Sequence, residues 1–250
     1  MACAAQALPR KSGFGLRWIN SIGIYVLIEY KNCFLFLREK RLRPYTSLVM
    51  NFSGGFSMHS ERVRYVLVPG WYGSEDAHWQ SHWQRALPNA SRVEQQDWIT
   101  PLRADWIAEL DAEIRCQLGP VVLIAHSLGC VTVALWAAQA ERRVRDQVRG
   151  ALLVAPADVE RESCAEALRN FAPISREPLP FPSVLVGSDN DQACSPQRAM
   201  HLARAWGAET VILPEAGHIN VKSGHGAWEA GYRHLFRLQY LIDSQARRRA

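Results

Sequence analysis

The chain has 250 residues, of which 48% are hydrophobic and 21% are charged, and its mean hydropathy is −0.16. These proportions are typical of a globular protein and exclude collagen-like, low-complexity and wholly disordered classes, and the length suits one large domain or two small ones. The formal charge of +5 comes from residues 1–57, which hold 8 Lys and Arg against 2 Asp and Glu, a net charge of +6. Residues 58–250 hold 21 Lys and Arg against 22 Asp and Glu, a net charge of −1. Nucleic-acid binding through a basic face of residues 58–250 is therefore disfavoured.

The first 57 residues differ in character from the rest of the chain. An apolar stretch, residues 22–37, is interrupted by Glu29 and Lys31. Its uninterrupted parts are too short to span a bilayer, and no small-residue cleavage site of a signal peptide follows them. Met58 begins a segment that leads directly into a predicted strand. We therefore expect an N-terminal extension, residues 1–57, that is disordered or translated from a misassigned start, followed by a domain of residues 58–250.

From residue 61 onward, short apolar runs alternate with segments of helical spacing. The predicted strands are Tyr65–Pro69, Val121–Ala125, Gly150–Ala155, Ser183–Gly187 and Thr210–Leu213, with a weaker edge strand at Val93–Asp97. The predicted helices cover approximately 78–87, 104–118, 129–141, 196–206 and 227–243. Continuous apolar runs suit strands that are covered on both faces. The pattern predicts an α/β fold, a three-layer α/β/α sandwich with a mostly parallel sheet of about six strands.

A candidate nucleophile follows one of these strands. Ser127 lies in the sequence A-H-S-L-G, between an apolar run and a helical segment, as a nucleophile elbow requires. Small residues flank such a serine because the neighbouring backbone leaves little room, and here Ala125 and Gly129 take those positions. Taken alone the motif is weak, since a serine that caps a helix gives the same pattern.

Two further strand ends carry the residues that such a serine needs. Asp189 and Asp191 follow the strand that ends at Gly187, and His218 follows the strand that ends at Leu213. The order Ser, Asp, His is that of α/β-hydrolase triads. Asp191 is the preferred acid, because it must reach over the sheet to the histidine and Asp189 is the better turn former.

Further residues are candidates for stabilising the transition state and for binding the substrate. The backbone N–H groups of Leu128 and Trp71 are candidate donors to an oxyanion, since one begins a helix and the other follows Pro69 and Gly70 at a strand end. Trp71 and Tyr72 are candidate substrate-binding residues. His126, next to the serine, is interpreted as structural. The spacing of His78, His82 and His225 indicates no metal site, and the six cysteines show no zinc or disulfide pattern.

Cys116 and Cys130 fall in apolar helical surroundings, and we expect buried, inert thiols there. Because free cysteines suit a reducing compartment, the simplest location is the cytoplasm. We expect no cofactor, no membrane partner and no nucleic-acid partner. The oligomeric state does not follow from the sequence.

At these residues the chain resembles the small serine hydrolases related to retinoblastoma-binding protein 9 and to bacterial YdeN. The resemblance covers nearly all of 61–240 and is carried by Val68-Pro-Gly-Trp71, His78-Trp79-Gln80, Asp97-Trp98, Asp105-Trp106, Ala125-His-Ser-Leu-Gly-Cys130, Ala155-Pro156 and Ala216-Gly-His-Ile-Asn220. It implies a compact α/β-hydrolase without a large lid and a triad of Ser127, Asp191 and His218. No retinoblastoma partner is implied, because the nearest match to an L-x-C-x-E segment, Leu128–Thr132, ends in Thr.

The implied reaction is two-step acyl transfer from a small acyl ester through an acyl-enzyme, with no metal or organic cofactor. Residues 156–182 leave room for a short helix and a loop only, which favours small esters over long lipids. Two alternatives stay open at this stage. The first is a catalytically idle binding protein on a hydrolase scaffold, and the second is a serine amidase or peptidase, which shares the acyl-enzyme.

Overall fold

The structure is a computed structural model that describes residues 15–18, 24–29, 32–37 and 63–249. The chain divides into two compact units, Met1–Ser57 and Met58–Ala250. In the first unit, β1 (Gly15–Trp18), β2 (Ile24–Glu29) and β3 (Asn32–Leu37) form an antiparallel sheet in that order. The sequence analysis did not predict these strands. The interpretation of residues 1–57 as an extension stays a prediction, and the candidate start at Met58 lies outside the described residues.

The second unit contains a six-stranded sheet that is parallel throughout. Its strand order is β5-β4-β6-β7-β8-β9. The strands are β4 (Arg64–Val68), β5 (Ala90–Arg92), β6 (Val121–His126), β7 (Val148–Val154), β8 (Ser183–Ser188) and β9 (Glu209–Leu213). The register places Val68 opposite Ala125, and Ser188 opposite Leu213, so the carboxyl ends of the strands meet at one edge.

Helices cover both faces of this sheet. They are α1 (Trp79–Ala86), α2 (Arg103–Cys116), α3 (Leu128–Gln139), α4 (Arg142–Arg145), α5 (Pro196–Trp206) and α6 (Tyr232–Arg249), with short 3₁₀ helices at Glu166–Phe171, Val221–Ser223 and Glu229–Gly231. Buried residues of α2, α3 and α5 pack on one face, and those of α1 and α6 pack on the other. The predicted three-layer α/β/α architecture is confirmed.

The strands alternate their side chains between the two cores. In β6, Leu123 and Ala125 join the core under α2, α3 and α5, whereas Val122 and Ile124 join the core under α1 and α6. All four are no more than 1% exposed. This burial on both faces explains why Val121–Ala125 in β6 is an uninterrupted apolar run, and it makes the centre of the sheet a rigid base for the residues at its carboxyl edge.

Between β7 and β8 the chain packs onto the domain and does not form a large lid. The 3₁₀ helix Glu166–Phe171 is the one helical segment between these strands, and its Leu168 and Phe171 are buried in the main core. Asn170 Nδ2 donates to the Pro101 carbonyl oxygen at 3.0 Å, and Asn170 Oδ1 accepts the Arg103 N–H at 2.7 Å. The segment is therefore held by the core and by the start of α2.

Three local predictions were wrong. The edge strand is Ala90–Arg92, not Val93–Asp97, because its partner β4 ends at Val68 and the following Pro69 has no N–H to extend the ladder. The last helix covers Tyr232–Arg249, not 227–243: a 3₁₀ turn precedes it, and it continues through polar residues at its end. Cys116 is exposed, not buried, because it ends α2 away from that helix's buried residues Trp106, Ile107, Leu110 and Ile114.

Candidate active site

The three side chains predicted as a catalytic triad lie at the carboxyl edge of the main sheet. Ser127 follows β6, Asp191 lies three residues beyond the end of β8, and His218 follows β9. Each is thus positioned by the end of a strand of the main sheet. The carboxyl edge is where open parallel sheets form their binding crevices.

Ser127 occupies a strained turn between strand and helix. Its backbone angles are φ 54° and ψ −120°, a conformation that L-residues rarely adopt, and α3 begins at the next residue. The Ser127 N–H donates to the Val154 carbonyl oxygen at 3.0 Å. The turn is therefore fixed to β7, and the predicted nucleophile elbow corresponds to a real strand–turn–helix geometry.

Two glycines make this turn sterically feasible. A Cβ on Gly129 would lie 2.3 Å from the carbonyl oxygen of Val68 and 2.6 Å from that of Pro69. A Cβ on Gly70 would lie 2.7 Å from Ser127 Cβ and 3.2 Å from Ser127 Oγ. All four distances are shorter than ordinary van der Waals contacts, so side chains at these positions would displace the serine or the end of β4.

The serine, histidine and aspartate form one hydrogen-bonded row. Ser127 Oγ lies 2.9 Å from His218 Nε2, and His218 Nδ1 lies 2.8 Å from Asp191 Oδ2 and 3.0 Å from Oδ1. Because a carboxylate only accepts, His218 Nδ1 carries the proton and Nε2 is left free to accept from the serine hydroxyl. The Asp191 side chain is 1% exposed and that of His218 is 25% exposed. The carboxylate is therefore shielded from solvent, whereas part of the imidazole is accessible to it.

The residues before Asp191 hold the loop that carries His218. Ser188 Oγ, Asp189 Oδ1 and Asn190 Oδ1 accept hydrogen bonds from the backbone N–H groups of residues 215–217, at distances of 2.7 to 3.0 Å. Asp189 therefore ties two loops together, while Asp191 contacts the imidazole. The sequence analysis interpreted Asp189 only as a turn former. The run of polar residues after β8 is the sequence feature that indicates these hydrogen bonds between the two loops.

The candidate oxyanion donors belong to the residue after Ser127 and to the residue after Gly70, which lies close to Ser127. The Leu128 N–H occupies the first position of α3, where a helix leaves its N–H groups without intrahelical partners. Within residues 63–249, no protein group accepts the Trp71 N–H. The Trp71 indole donates to the Ile99 carbonyl oxygen at 2.8 Å and stacks on Tyr72 with ring centroids 4.3 Å apart. Tyr72 is 63% exposed, so an aromatic surface adjoins the Gly70 turn.

Sequence reasoning missed a supporting role for the motif His78-Trp79-Gln80. Gln80 is fully buried, and its Nε2 donates to the carbonyl oxygen of Ile124 at 2.9 Å and to that of Val68 at 3.3 Å. These carbonyls lie just before the Ser127 turn and the Gly70 turn. His126, which was interpreted as structural, is buried and has its Nε2 3.0 Å from the His218 carbonyl oxygen.

Two buried cysteine thiols near this edge, Cys194 and Cys130, are not reactive. Burial raises the pKa of the Cys194 thiol to about 12 and raises that of Cys130 still further above its ordinary value, so both stay protonated.

Across the described residues, no three His, Cys, Asp or Glu side chains are grouped so that they could hold a metal ion. In the same residues, no helix is both long and apolar enough to cross a membrane.

Comparisons with known proteins identify the family of this chain. Residues 65–237 match the model of a family described as serine hydrolase. A protein described as a YdeN-like hydrolase from Pectobacterium atrosepticum is 35% identical, with a TM-score of 0.62, over 74% of this chain and 92% of the other. The ydeN gene product of Bacillus subtilis is 17% identical, with a TM-score of 0.57, over 72% of this chain and 99% of its own.

More distant structures share the fold alone. The esterase domain of a Rhodothermus marinus protein is 15% identical, with a TM-score of 0.52, over 73% of this chain and 89% of that domain. No curated protein sequence matches the chain significantly. The family match extends from the first strand of the main sheet into α6 and so takes in every element that carries the hydrogen-bonded row. The chain belongs to the serine hydrolase family, as the resemblance to YdeN-like hydrolases implies.

Proposed function

We propose that this serine hydrolase cleaves small acyl esters with Ser127 as nucleophile, His218 as general base and Asp191 as the acid that orients the histidine. The observation that carries the proposal is the continuous row of hydrogen bonds from Ser127 Oγ through both imidazole nitrogens to the Asp191 carboxylate. A serine that merely capped α3 would need no such row, and no side-chain capping bond is formed by Ser127.

In the proposed reaction, His218 Nε2 takes the Ser127 proton as the serine oxygen attacks the carbonyl carbon of the ester. Asp191 holds the imidazole in the tautomer that accepts this proton, and its charge stabilises the imidazolium. The proton then passes from His218 to the departing alcohol, which leaves an acyl group on Ser127. Water, activated by the same imidazole, attacks the acyl-enzyme and releases the acid.

The backbone N–H groups of Leu128 and Trp71 are the proposed oxyanion donors. Both belong to segments fixed before substrate arrives, because Leu128 begins α3 and Trp71 follows the constrained Gly70 turn. Donors held in place cost no reorganisation when the negative charge develops, and one such donor contributes about 3 kcal/mol to lowering the barrier.

The proposed substrates are small acyl esters that reach the serine from solvent. The loop between β7 and β8 is packed onto the core, and a quarter of the His218 side chain is exposed. The stacked rings of Trp71 and Tyr72 provide an aromatic surface for the acyl or alcohol group. A site of this kind is not enclosed enough to desolvate a long acyl chain. The cytoplasmic location and the freedom from cofactors stay predictions.

A fluorophosphonate probe tests the nucleophile directly. We expect stoichiometric labelling of the wild type and complete loss of the label in Ser127→Ala, whereas Ser223→Ala, a serine of a neighbouring turn, serves as control and keeps the label. Absence of labelling in the folded wild type would instead support an idle binding protein.

A matched substrate series tests the substrate class. We expect p-nitrophenyl acetate and butyrate to be cleaved faster, in kcat/KM, than p-nitrophenyl palmitate and than the p-nitroanilides of the same short acids. Faster turnover of the anilides would support the amidase alternative, and faster turnover of palmitate would contradict the open site.

A further inference from the structure

The loop that carries His218 has a strained backbone that needs external support. Ile219, directly after the histidine, has φ 46°, and Gly217, directly before it, has φ 56°. A β-branched residue with positive φ is a genuine outlier, because its Cβ crowds the backbone in that region. Ile219 is fully buried, so solvent cannot relax it. Something in the surrounding structure must hold this loop in place.

Two buried side chains bond the backbone at this strained point. His126 Nε2 lies 3.0 Å from the His218 carbonyl oxygen, and Trp79 Nε1 donates to the Ile219 carbonyl oxygen at 2.9 Å. His126 is 5% exposed and Trp79 is fully buried, so neither bond competes with water. A carbonyl only accepts, which assigns the proton of His126 to Nε2. Two consecutive carbonyl groups are thus held by donors from β6 and α1.

The two donors also support each other. The ring of His126 packs between those of His78 and His218, with centroids 4.8 Å and 5.0 Å away, and meets the ring of Trp79 edge-on at 5.9 Å. Burial, with the nearby charges of protonated His218 and His78 in the same direction, lowers the pKa of His126 well below its ordinary value of 6.5. His126 therefore stays neutral at working pH and keeps the single proton that it donates.

We propose that His126 and Trp79 are positioning residues that fix the distance between the His218 imidazole and Ser127 through the backbone carbonyls of residues 218 and 219. His126 precedes Ser127 in the chain, so its hydrogen bond joins the segment of the nucleophile to the loop of the base. Asp191 orients the imidazole ring, whereas His126 and Trp79 hold the backbone from which that ring extends. The proposal rests on the proposed roles of Ser127 and His218.

The test compares variants at His126 that differ in the reach of one donor. In His126→Gln the amide nitrogen reaches the place of Nε2, whereas in His126→Asn the amide nitrogen stops near the place of Nδ1. We expect kcat for p-nitrophenyl acetate to fall about 10²-fold in His126→Asn, with KM unchanged, because a small misplacement of a catalytic group has that effect. His126→Gln should recover most of this loss.

Each kcat is counted per active site by titration with the fluorophosphonate probe, which removes the contribution of misfolded protein. Trp79→Phe removes the donor to residue 219 and keeps an aromatic ring there, but the smaller ring leaves part of the buried indole site empty. Counting kcat per active site keeps any loss of folded protein out of the comparison. We expect a fall in kcat per active site there as well. The proposal is overturned if His126→Asn keeps the wild-type kcat per site, if His126→Gln is as slow as His126→Asn, or if Trp79→Phe is unaffected. A wild type without probe labelling would overturn the proposed function instead.

Discussion

Acid should destabilise this protein through His78, and an asparagine at that position should remove the effect. His78 is 3% exposed, and its Nδ1 accepts the Gln80 N–H at 3.2 Å as the N-terminal cap of α1. Burial lowers the pKa of His78 from 6.5 to about 4, and the charges of Arg92 and His218 act in the same direction. The folded protein thus holds this histidine neutral under conditions in which the unfolded chain protonates it.

The sign and the size of the effect follow from these two values. Because the pKa is lower in the folded state, the unfolded state binds more protons and stability falls as the pH falls. The loss begins near pH 6.5 and is complete near pH 4. For His78 alone it amounts to about 2 kcal/mol at pH 5 and about 3 kcal/mol in full. His126, whose pKa is also lowered by burial, adds a loss in the same direction.

Urea unfolding at pH 7.5 and at pH 5 measures this loss. Asparagine is a good N-terminal capping residue, so His78→Asn keeps an acceptor for the Gln80 N–H but removes the titrating ring. Its free energy of unfolding should fall between the two pH values by about 2 kcal/mol less than that of the wild type. His201→Asn is the control, since that side chain is exposed on α5. Equal losses in the wild type and His78→Asn would refute the reasoning.

Three further outcomes follow from the site. Gly129→Ala should lower the free energy of unfolding by about 3 kcal/mol or abolish folding, because its Cβ would lie 2.3 Å from a backbone oxygen. In the control Gly226→Ala, the nearest atom to the new Cβ is 3.7 Å away, so the urea midpoint should change little. Asp191→Asn should reduce kcat about 10⁴-fold, while Asp189→Asn, which keeps an oxygen for its backbone partner, should have a far smaller effect in the same ester assay. Tyr72→Ala should raise KM for aryl esters about fivefold and leave kcat unchanged in steady-state kinetics, since the ring is exposed and stacked beside the serine turn.

Much of the fold could be predicted from the sequence because five strands of the main sheet contain continuous apolar runs, and those of β4, β6, β7 and β8 are largely buried. The edge strand could not be located in this way. Its residues Ala90–Arg92 are only partly buried, and what defines them is pairing with β4, a contact between distant parts of the chain. The end of α6 was also missed, since the helix runs to Arg249 through polar residues that leave no apolar period.

The site shows the same division between local and distant signals. Ser127, Asp191 and His218 were predicted because each follows a strand that the sequence reveals, and their order is diagnostic. The contacts of Gln80 and His126 were not predicted, because both bond to backbone carbonyls, which every residue has. A side chain that recognises a backbone atom has no complementary residue type that sequence could reveal.

The ties from residues 188–190 to the backbone of residues 215–217 have a mechanical consequence. Asp191 directly follows the residues that hold the histidine loop, so the carboxylate and the imidazole are both tied to the end of β8. The triad is therefore assembled from two pieces. One piece carries the Asp191 carboxylate and the His218 imidazole, and the other carries the Ser127 hydroxyl. The hydrogen bond from His126 to the His218 carbonyl oxygen then joins these two pieces, so its loss should separate serine from imidazole while imidazole and carboxylate stay together.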